Sequence, residues 1–219
     1  MRLHPEVIAA NWPLIASGVL LTLEIATAAI ILGTGLGLLA AVARMSRAAP
    51  LRWIATGYVE VIRNTPALVQ LLLIFLGLAE FRLHIAAIPA VILALGINNG
   101  AYLSEIIRGG LQSVPRGQLE AAAALGLPSA VTFHEVVLPQ ALRAIYPSLG
   151  NQFIQTVLAS SIGSIIGAPE LTQQISFIDS RTFRTIELLA FLTLAYAVLT
   201  LVLSALVRAF GRRLEHAYR

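Results

Sequence analysis

The chain has no cysteine, which excludes a disulfide framework and a thiolate metal site. It has no lysine either; all 15 of its lysine-or-arginine positions are arginine. Charge of either sign is scarce. Charged residues make up 12% of the chain and hydrophobic ones 58%, against about 25% and about 45–50% in an ordinary soluble domain. A soluble core of 219 residues could not hide that much apolar surface, so the bilayer must be the solvent for much of it. The chain has no GxxxxGK[ST] phosphate loop and no GxSxG elbow. Its histidines, His4, His84, His134 and His216, fall in separate termini or loops without metal-ligand spacing. The stretch from Met1 to Pro13 lacks the basic start and small-residue cleavage site of a signal peptide. The first apolar run is therefore expected to be retained.

What is present is apolar sequence in long runs. Five stand out, at about Leu14–Ala43, Ile54–Ala79, Ile85–Ile107, Leu149–Ala168 and Ile186–Phe210. Each has the length of a membrane-spanning helix, whose backbone satisfies its own hydrogen bonds. The expected fold is therefore all-α, with five spans in one membrane domain covering 1–219. Trp12, Trp53 and Tyr218 fall near span ends, where aromatic rings prefer the interface. With the N-terminus outside, the inner side carries Arg44, Arg47, Arg52, Arg108, Arg116, Arg143, Arg208, Arg212, Arg213 and Arg219. The outer side carries only Arg2, Arg82, Arg181 and Arg184. That bias predicts a cytoplasmic C-terminus and a large cytoplasmic loop at about 111–148. It also explains a pI near 10.1 without nucleic acid.

The loop is broken by Pro115, Pro128, Pro139 and Pro147. Short helices are expected at about Arg116–Leu125 and Ser129–Val136, with Gly126 reversing the chain and Ser129 as an N-cap. Ala121 to Ala124 present a small-residue surface, and Glu120 sits near a helix start where the dipole tolerates it. An amphipathic linker lying on the membrane would show the same pattern.

Polar groups within the runs need partners. Glu60 and Arg63, and Glu105 and Arg108, are three apart and share a helix face, so each is expected to form an ion pair. Arg63 is alternatively a gate or a contact for a substrate carboxylate. Glu24 has no near partner in sequence and is expected to face another helix or water. In the fourth run Gln152, Thr156, Ser160, Gly163 and Gly167 recur at steps of three or four. This face fits tight helix packing or a polar pathway. Gly33 and Gly37 form a GxxxG pattern with a packing role. The segment from Gln173 to Glu187 is either a solvated connection or a charged contact for an external partner.

Several stretches together resemble the permease subunits of type I ABC importers, in the polar-amino-acid (histidine/glutamine-type) group. Glu120, Ala121, Ala122, Gly126, Leu138 and Pro139 match that family's EAA loop, with Val136 replacing the usual isoleucine. The stretch from Glu60 to Leu71, through Arg63, Thr65, Pro66 and Gln70, is similar to its second-span signature, with Asn64 where glycine is usual. Asn98, Asn99, Tyr102, Glu105, Arg108 and Gly110 resemble its third-span signature, and Ser113, Pro115, Gly117 and Gln118 lead into the loop. The resemblance runs from about Gly18 to the C-terminus.

The resemblance implies a multi-pass protein of the bacterial cytoplasmic membrane that performs no covalent chemistry. It implies two ATPase subunits docked on the loops, a second permease (the same chain or a homologue), and an extracytoplasmic amino-acid-binding protein. ATP and its magnesium would sit on the partner ATPase, with no cofactor on this chain. The substrate pathway would involve Arg63, Gln70, Gln152, Thr156, Ala159, Ser160 and Ser161. Relatives often read Lys-Asp-Thr-Ser-Leu where this chain has Leu158, Ala159, Ser160, Ser161 and Ile162. Relatives that handle cationic amino acids can carry acids at the places of Gln152 and Ala159. Without them a buried cation lacks its counter-charge, so a neutral or acidic amino acid is expected. A membrane-embedded hydrolase and a passive channel or scaffold are the alternatives from other classes.

Overall fold

The computed structural model describes residues 6–216, with side chains to residue 212. Arg2, His4, Tyr218 and Arg219, and the side chains of Arg213 and His216, lie outside the described residues. Among the described residues every regular element is a helix. A short α1 (Glu6–Ala10) precedes α2 (Trp12–Arg44), followed by α3 (Ala49–Arg63), α4 (Ala67–Glu80) and α5 (Ala87–Gln112). Next come α6 (Arg116–Ala124) and α7, a continuous helical stretch over 129–159 extended by a 3-10 turn at Ser160–Ile166. The chain ends in α8 (Leu171–Thr182) and α9 (Thr185–His216).

Among the described residues three helices are long and apolar enough to cross a membrane: Trp12–Arg44, Ala87–Gln112 and Thr185–Arg212. The α3–α4 pair also qualifies, but as a rod bent by 108°. The expected straight second span is thus not one. Asn64 and Thr65 cannot continue the helix into Pro66, which lacks an N–H and disfavours α geometry in the residue before it. The carbonyl of Ile62, four residues before Pro66, loses its helical donor. The side chain of Gln70 replaces it, with Nε2 donating to Ile62 O at 2.8 Å, Thr65 O at 3.1 Å and Thr65 Oγ1 at 2.8 Å. Hydrocarbon supplies no water for a freed carbonyl, so this side chain lets the bend persist in apolar surroundings.

The central pairing is α2 against α5. Gly33 and Gly37 of α2 face Gly96 and Gly100 of α5 so closely that a Cβ on Gly33 would fall 2.6 Å from Asn99 Nδ2. One on Gly37 would fall 2.9 Å from the Gly100 carbonyl oxygen. Gly35, on the other side of α2, has no such neighbour. Small residues are what let backbones meet where no hydrophobic force drives helices together. Ile25, Ala29, Leu71, Val91 and Leu95 pack into one core beside this contact.

The fourth apolar run also departs from expectation. Thr132–Val137 is a π turn that accommodates Pro139, so the predicted second short helix runs unbroken into the run itself. Ser129 is the first helical residue rather than the cap; Pro128 occupies the cap position, with no side-chain cap bond. After Ala159 the helix tightens to 3-10 form and reverses at Gly167, whose φ of 78° is left-handed. Beyond it α8 is no solvated connection. Leu171, Ile175 and Ile178 are buried with Ile15 and Leu188. Glu170 caps α8 by accepting from the backbone N–H groups of Thr172 and Gln173, both at 2.9 Å, and from Tyr196 OH at 3.0 Å. Burial holds the Glu170 carboxyl above its usual pKa, and those hydrogen bonds offset only part of that rise. Helix α9 crosses α7 where Gly150 meets Val207 and Tyr146 OH donates to Val207 O at 2.7 Å.

Gly37→Leu is expected to destabilise the detergent-solubilised protein by about 2–3 kcal/mol through overpacking. Gly35→Leu should leave stability within about 0.5 kcal/mol. Paired melting curves check this; equal midpoints for the two variants would mean that the helices do not meet at Gly37.

Candidate functional site

Three features built by this fold carry function-bearing side chains. The first is a charge cluster beside the α3–α4 bend. Glu105 on α5 accepts from Arg44 at the end of α2 and from Arg108, one turn along its own helix, at 2.7 Å. Arg63 NH1 lies 3.8 Å from the same carboxylate, and its guanidinium sits 5.5 Å from the centroid of the Tyr102 ring. The expected Glu105–Arg108 pair is therefore present. The expected Glu60–Arg63 pair is not among the described contacts: Glu60 accepts from Asn64 Nδ2 at 3.3 Å, and Arg63 turns to α5. A partly buried carboxylate and an aromatic face hold a guanidinium better than an exposed acid on the same helix. Three guanidiniums share one carboxylate, so the cluster as a whole is cationic.

The second feature is a polar seam between α5 and α7. Asn99, fully buried, accepts through Oδ1 from Gln152 Nε2 at 3.0 Å and Thr156 Oγ1 at 3.2 Å. Its neighbour Asn98 donates to Gln70 Oε1 at 3.1 Å, which ties the seam to the bend. The expected face of α7 is thus brought together, but mostly as packing. Thr156, Ser160 and Gly163 are buried, and the hydroxyls of Ser160 and Ser161 bond back to the carbonyls of Val157 and Leu158 at 2.8 Å. Ala159 and Ser161 are half-buried. Gly167 leaves that face, because the 3-10 turn shifts the register. The polar groups left open lie on the other side of α7, at Ser148, Asn151 and Gln155. Sequence reasoning did not put them in the candidate site, although their steps of three and four mark a helix face. Glu24 is likewise exposed, on a face of α2 shared with Leu20 and Ile31.

The third feature is the loop that joins α5 to α7. α6 ends in a tight reversal: Leu127 N–H donates to Ala122 O and Gly126 N–H to Ala123 O, both at 3.0 Å, with Gly126 at φ 71°. This is the double hydrogen bond of a Schellman cap. Ala122 is the one buried residue of α6. Glu120, Ala121 and Gly126 are exposed, and Leu138 and Pro139 are half-buried. Apolar side chains stand out around the reversal, among them Leu119, Leu125, Leu127, Val131 and Phe133. Together they make an exposed apolar patch, the kind of surface that marks an interaction site. No group of three metal-binding side chains occurs among the described residues.

The fold is thus a bundle of bilayer-length helices with a buried polar seam and one capped connecting loop. The chain matches the family described as binding-protein-dependent transport system inner membrane component over residues 33–216, and it belongs to that family. It is 37% identical to an L-cystine transport system permease protein of Bacillus subtilis, over 93% of this chain and 88% of that one. It is 38% identical to a glutamine transport system permease protein of Escherichia coli, over 93% and 94%. A solved structure of an amino acid ABC transporter with histidines superposes with a TM-score of 0.92 at 42% identity, covering 97% of this chain and all of that one. The chain is accordingly a transport subunit of the amino-acid ABC permease kind, with the type I permease fold.

Glu105→Gln leaves three guanidiniums without their shared counter-charge. It is expected to destabilise the protein by about 3 kcal/mol, whereas Glu60→Gln, at an exposed site, should change stability by less than about 0.5 kcal/mol. Denaturation of both variants in one detergent checks the difference; indistinguishable stabilities would remove Glu105 from the centre of the cluster.

Proposed function

We propose that this chain is the membrane permease of an ATP-driven importer that moves a polar, neutral or acidic amino acid inward by alternating access. The observation that carries the proposal is the protruding loop with its Gly126 cap. Exposed Glu120 and Ala121, and the apolar side chains around Gly126, form a surface on which a separate nucleotide-hydrolysing subunit can push. The chain itself has no phosphate-binding loop. Two ATPases, carrying ATP and magnesium, would close on nucleotide and pull the loops of two permeases, identical or homologous. The spans would rock and open toward an extracytoplasmic binding protein, and hydrolysis would reset them. Five crossings of the bacterial cytoplasmic membrane, with the N-terminus outside and the loop inside, fit the arginine distribution. In that count α3 with α4 is one crossing and α7 another.

Relatives named for cystine and glutamine transport support an amino acid as cargo. Here Gln152 is neutral and engaged with Asn99, Ala159 offers no acid, and the nearby charge cluster carries more guanidinium than carboxylate. Such surroundings disfavour a second cation out of water. Asn151 and Gln155 on the open face of α7 supply neutral hydrogen-bonding groups for a pathway shared with the second permease.

Gly126→Val forces a β-branched residue into the left-handed region, where Asn is tolerated. Co-purification of the partner ATPase and substrate uptake are expected to fall at least about ten-fold in Gly126→Val, and to be largely kept in Gly126→Asn. Full coupling in the valine variant would sink the assignment of the loop.

In uptake by the assembled system, radiolabelled glutamine or glutamate is expected to accumulate at least about ten-fold faster than arginine, the ratio that about 1.4 kcal/mol of unpaired-charge penalty gives. Robust arginine uptake would overturn the charge class while leaving the permease reading intact.

A further inference from the structure

One cavity lies beside the loop surface and shares only Phe133 with it. A groove of about 830 Å³ runs along the last turns of α2, between it and α3, from Leu36 to Ser46. Leu111 and Phe133 contribute to its lining. Its walls are aliphatic, with Leu39, Val42, Ala43, Leu51 and Ile54 among them, and no carboxylate lines it. These walls are open rather than packed: Leu39 is 69% exposed and Ile54 72%. Two polar side chains border the groove. Tyr58 is committed, donating its hydroxyl to Ile97 O at 2.7 Å. Ser46 stands where α2 has ended, and Arg52 NH1 donates to its carbonyl at 3.2 Å. That bond fixes a guanidinium at the mouth, with Arg47 exposed beside it and the Trp53 indole exposed nearby on α3.

We propose that this groove is a binding site for a membrane phospholipid with an anionic headgroup. Its acyl chain would lie along Leu39, Val42 and Ile54, and its phosphate would meet Arg52 and Arg47. Two physical matches select this occupant. α2 is roughly 50 Å long, more than the roughly 30 Å of hydrocarbon it crosses. The groove follows its final roughly 15 Å, so it straddles the hydrocarbon–headgroup boundary, with its inner end by Leu36 and Leu39 at acyl-chain depth and its arginine rim at headgroup depth. The rim is also positive without a facing acid, as Arg44, the remaining nearby arginine, is held by Glu105. Basic pockets between transmembrane helices on the cytoplasmic side are suited to anionic headgroups. A guanidinium also offers phosphate a paired, planar set of donors.

The test uses the assembled importer in phosphatidylcholine nanodiscs doped with a phosphatidylglycerol carrying a photoactivatable acyl chain, followed by peptide mapping. Adducts are expected within 36–46 and 51–58. Unlabelled phosphatidylglycerol should compete about five-fold better than phosphatidylcholine, the ratio given by about one arginine–headgroup interaction. Arg52→Gln should bring that preference close to one. Ala43→Trp, which fills the groove, should remove the adducts there while non-specific labelling of the lipid-exposed face of α9 persists. Equal competition by the two lipids, or adducts unchanged by both substitutions, would overturn the proposal. So would labelling of the groove in the isolated permease but not in the importer, since a protein subunit would then be its occupant.

Discussion

Two bilayer-length helices meet backbone to backbone through opposed glycines, and the rest of the molecule is arranged on that contact. Gly33 and Gly37 against Gly96 and Gly100 bring α2 and α5 closer than any side chain would allow. In lipid, helices gain little by hiding apolar surface from one another, so close packing and hydrogen bonds must hold them. The contact fixes where Asn99 lies, because its amide occupies the space that Gly33 leaves free. Asn99 in turn receives Gln152 and Thr156 from α7. A third helix is thereby set in register by hydrogen bonds rather than by shape alone. Removing a partner from such a network would leave a polar group buried and unpaired, which is expensive in low dielectric.

The same accounting of polar groups explains the bend and the charge cluster. Proline at position 66 frees a carbonyl, and Gln70 answers it. Having spent its amide nitrogen on the bend, Gln70 offers its oxygen to Asn98, so bend and seam form one connected set. Arg44, Arg63 and Arg108 converge on Glu105 from α2, α3 and α5. These are the helices whose relative motion would have to change if the protruding loop were pulled. A carboxylate shared by three helices ties them together, Arg63 being the most distant of its three partners at 3.8 Å. The loop is stiff for a local reason: its helix is closed by two backbone hydrogen bonds at Gly126.

Much of this was legible in sequence, and the legible parts share a cause. The length and apolarity of α2, α5 and α9 follow from bilayer thickness. The end of α6 and the reversal at Gly126 follow from local backbone chemistry. The Glu105–Arg108 pair follows from helix spacing, and the glycine contact from the GxxxG pattern. The illegible parts are choices between partners distant in the chain. Arg63 has Glu60 three residues away and Glu105 far off in sequence, and only the crossing of α3 over α5 makes Glu105 the nearer acid. Polar positions recur along both sides of α7. That Thr156 and Ser160 turn inward while Asn151 and Gln155 stay open depends on where α5 lies. The burial of Glu170 under Tyr196 depends on α8 folding back onto α2, which no periodicity announces.

The amino-acid order by itself determined the long apolar helices, the uneven arginine placement and the reversal at Gly126, because hydropathy and turn chemistry act over a few neighbouring residues, and its ordered motifs carried the likeness to amino-acid ABC permeases. Pro66 marks the break between α3 and α4 in the sequence, but tertiary structure alone decided its 108° angle, the acid that holds Arg63, and the polar groups of α7 that remain open. Those outcomes are set by unsatisfied hydrogen-bonding groups and charges finding partners across helices, and a buried group is satisfied only by what the fold places within about 3 Å of it.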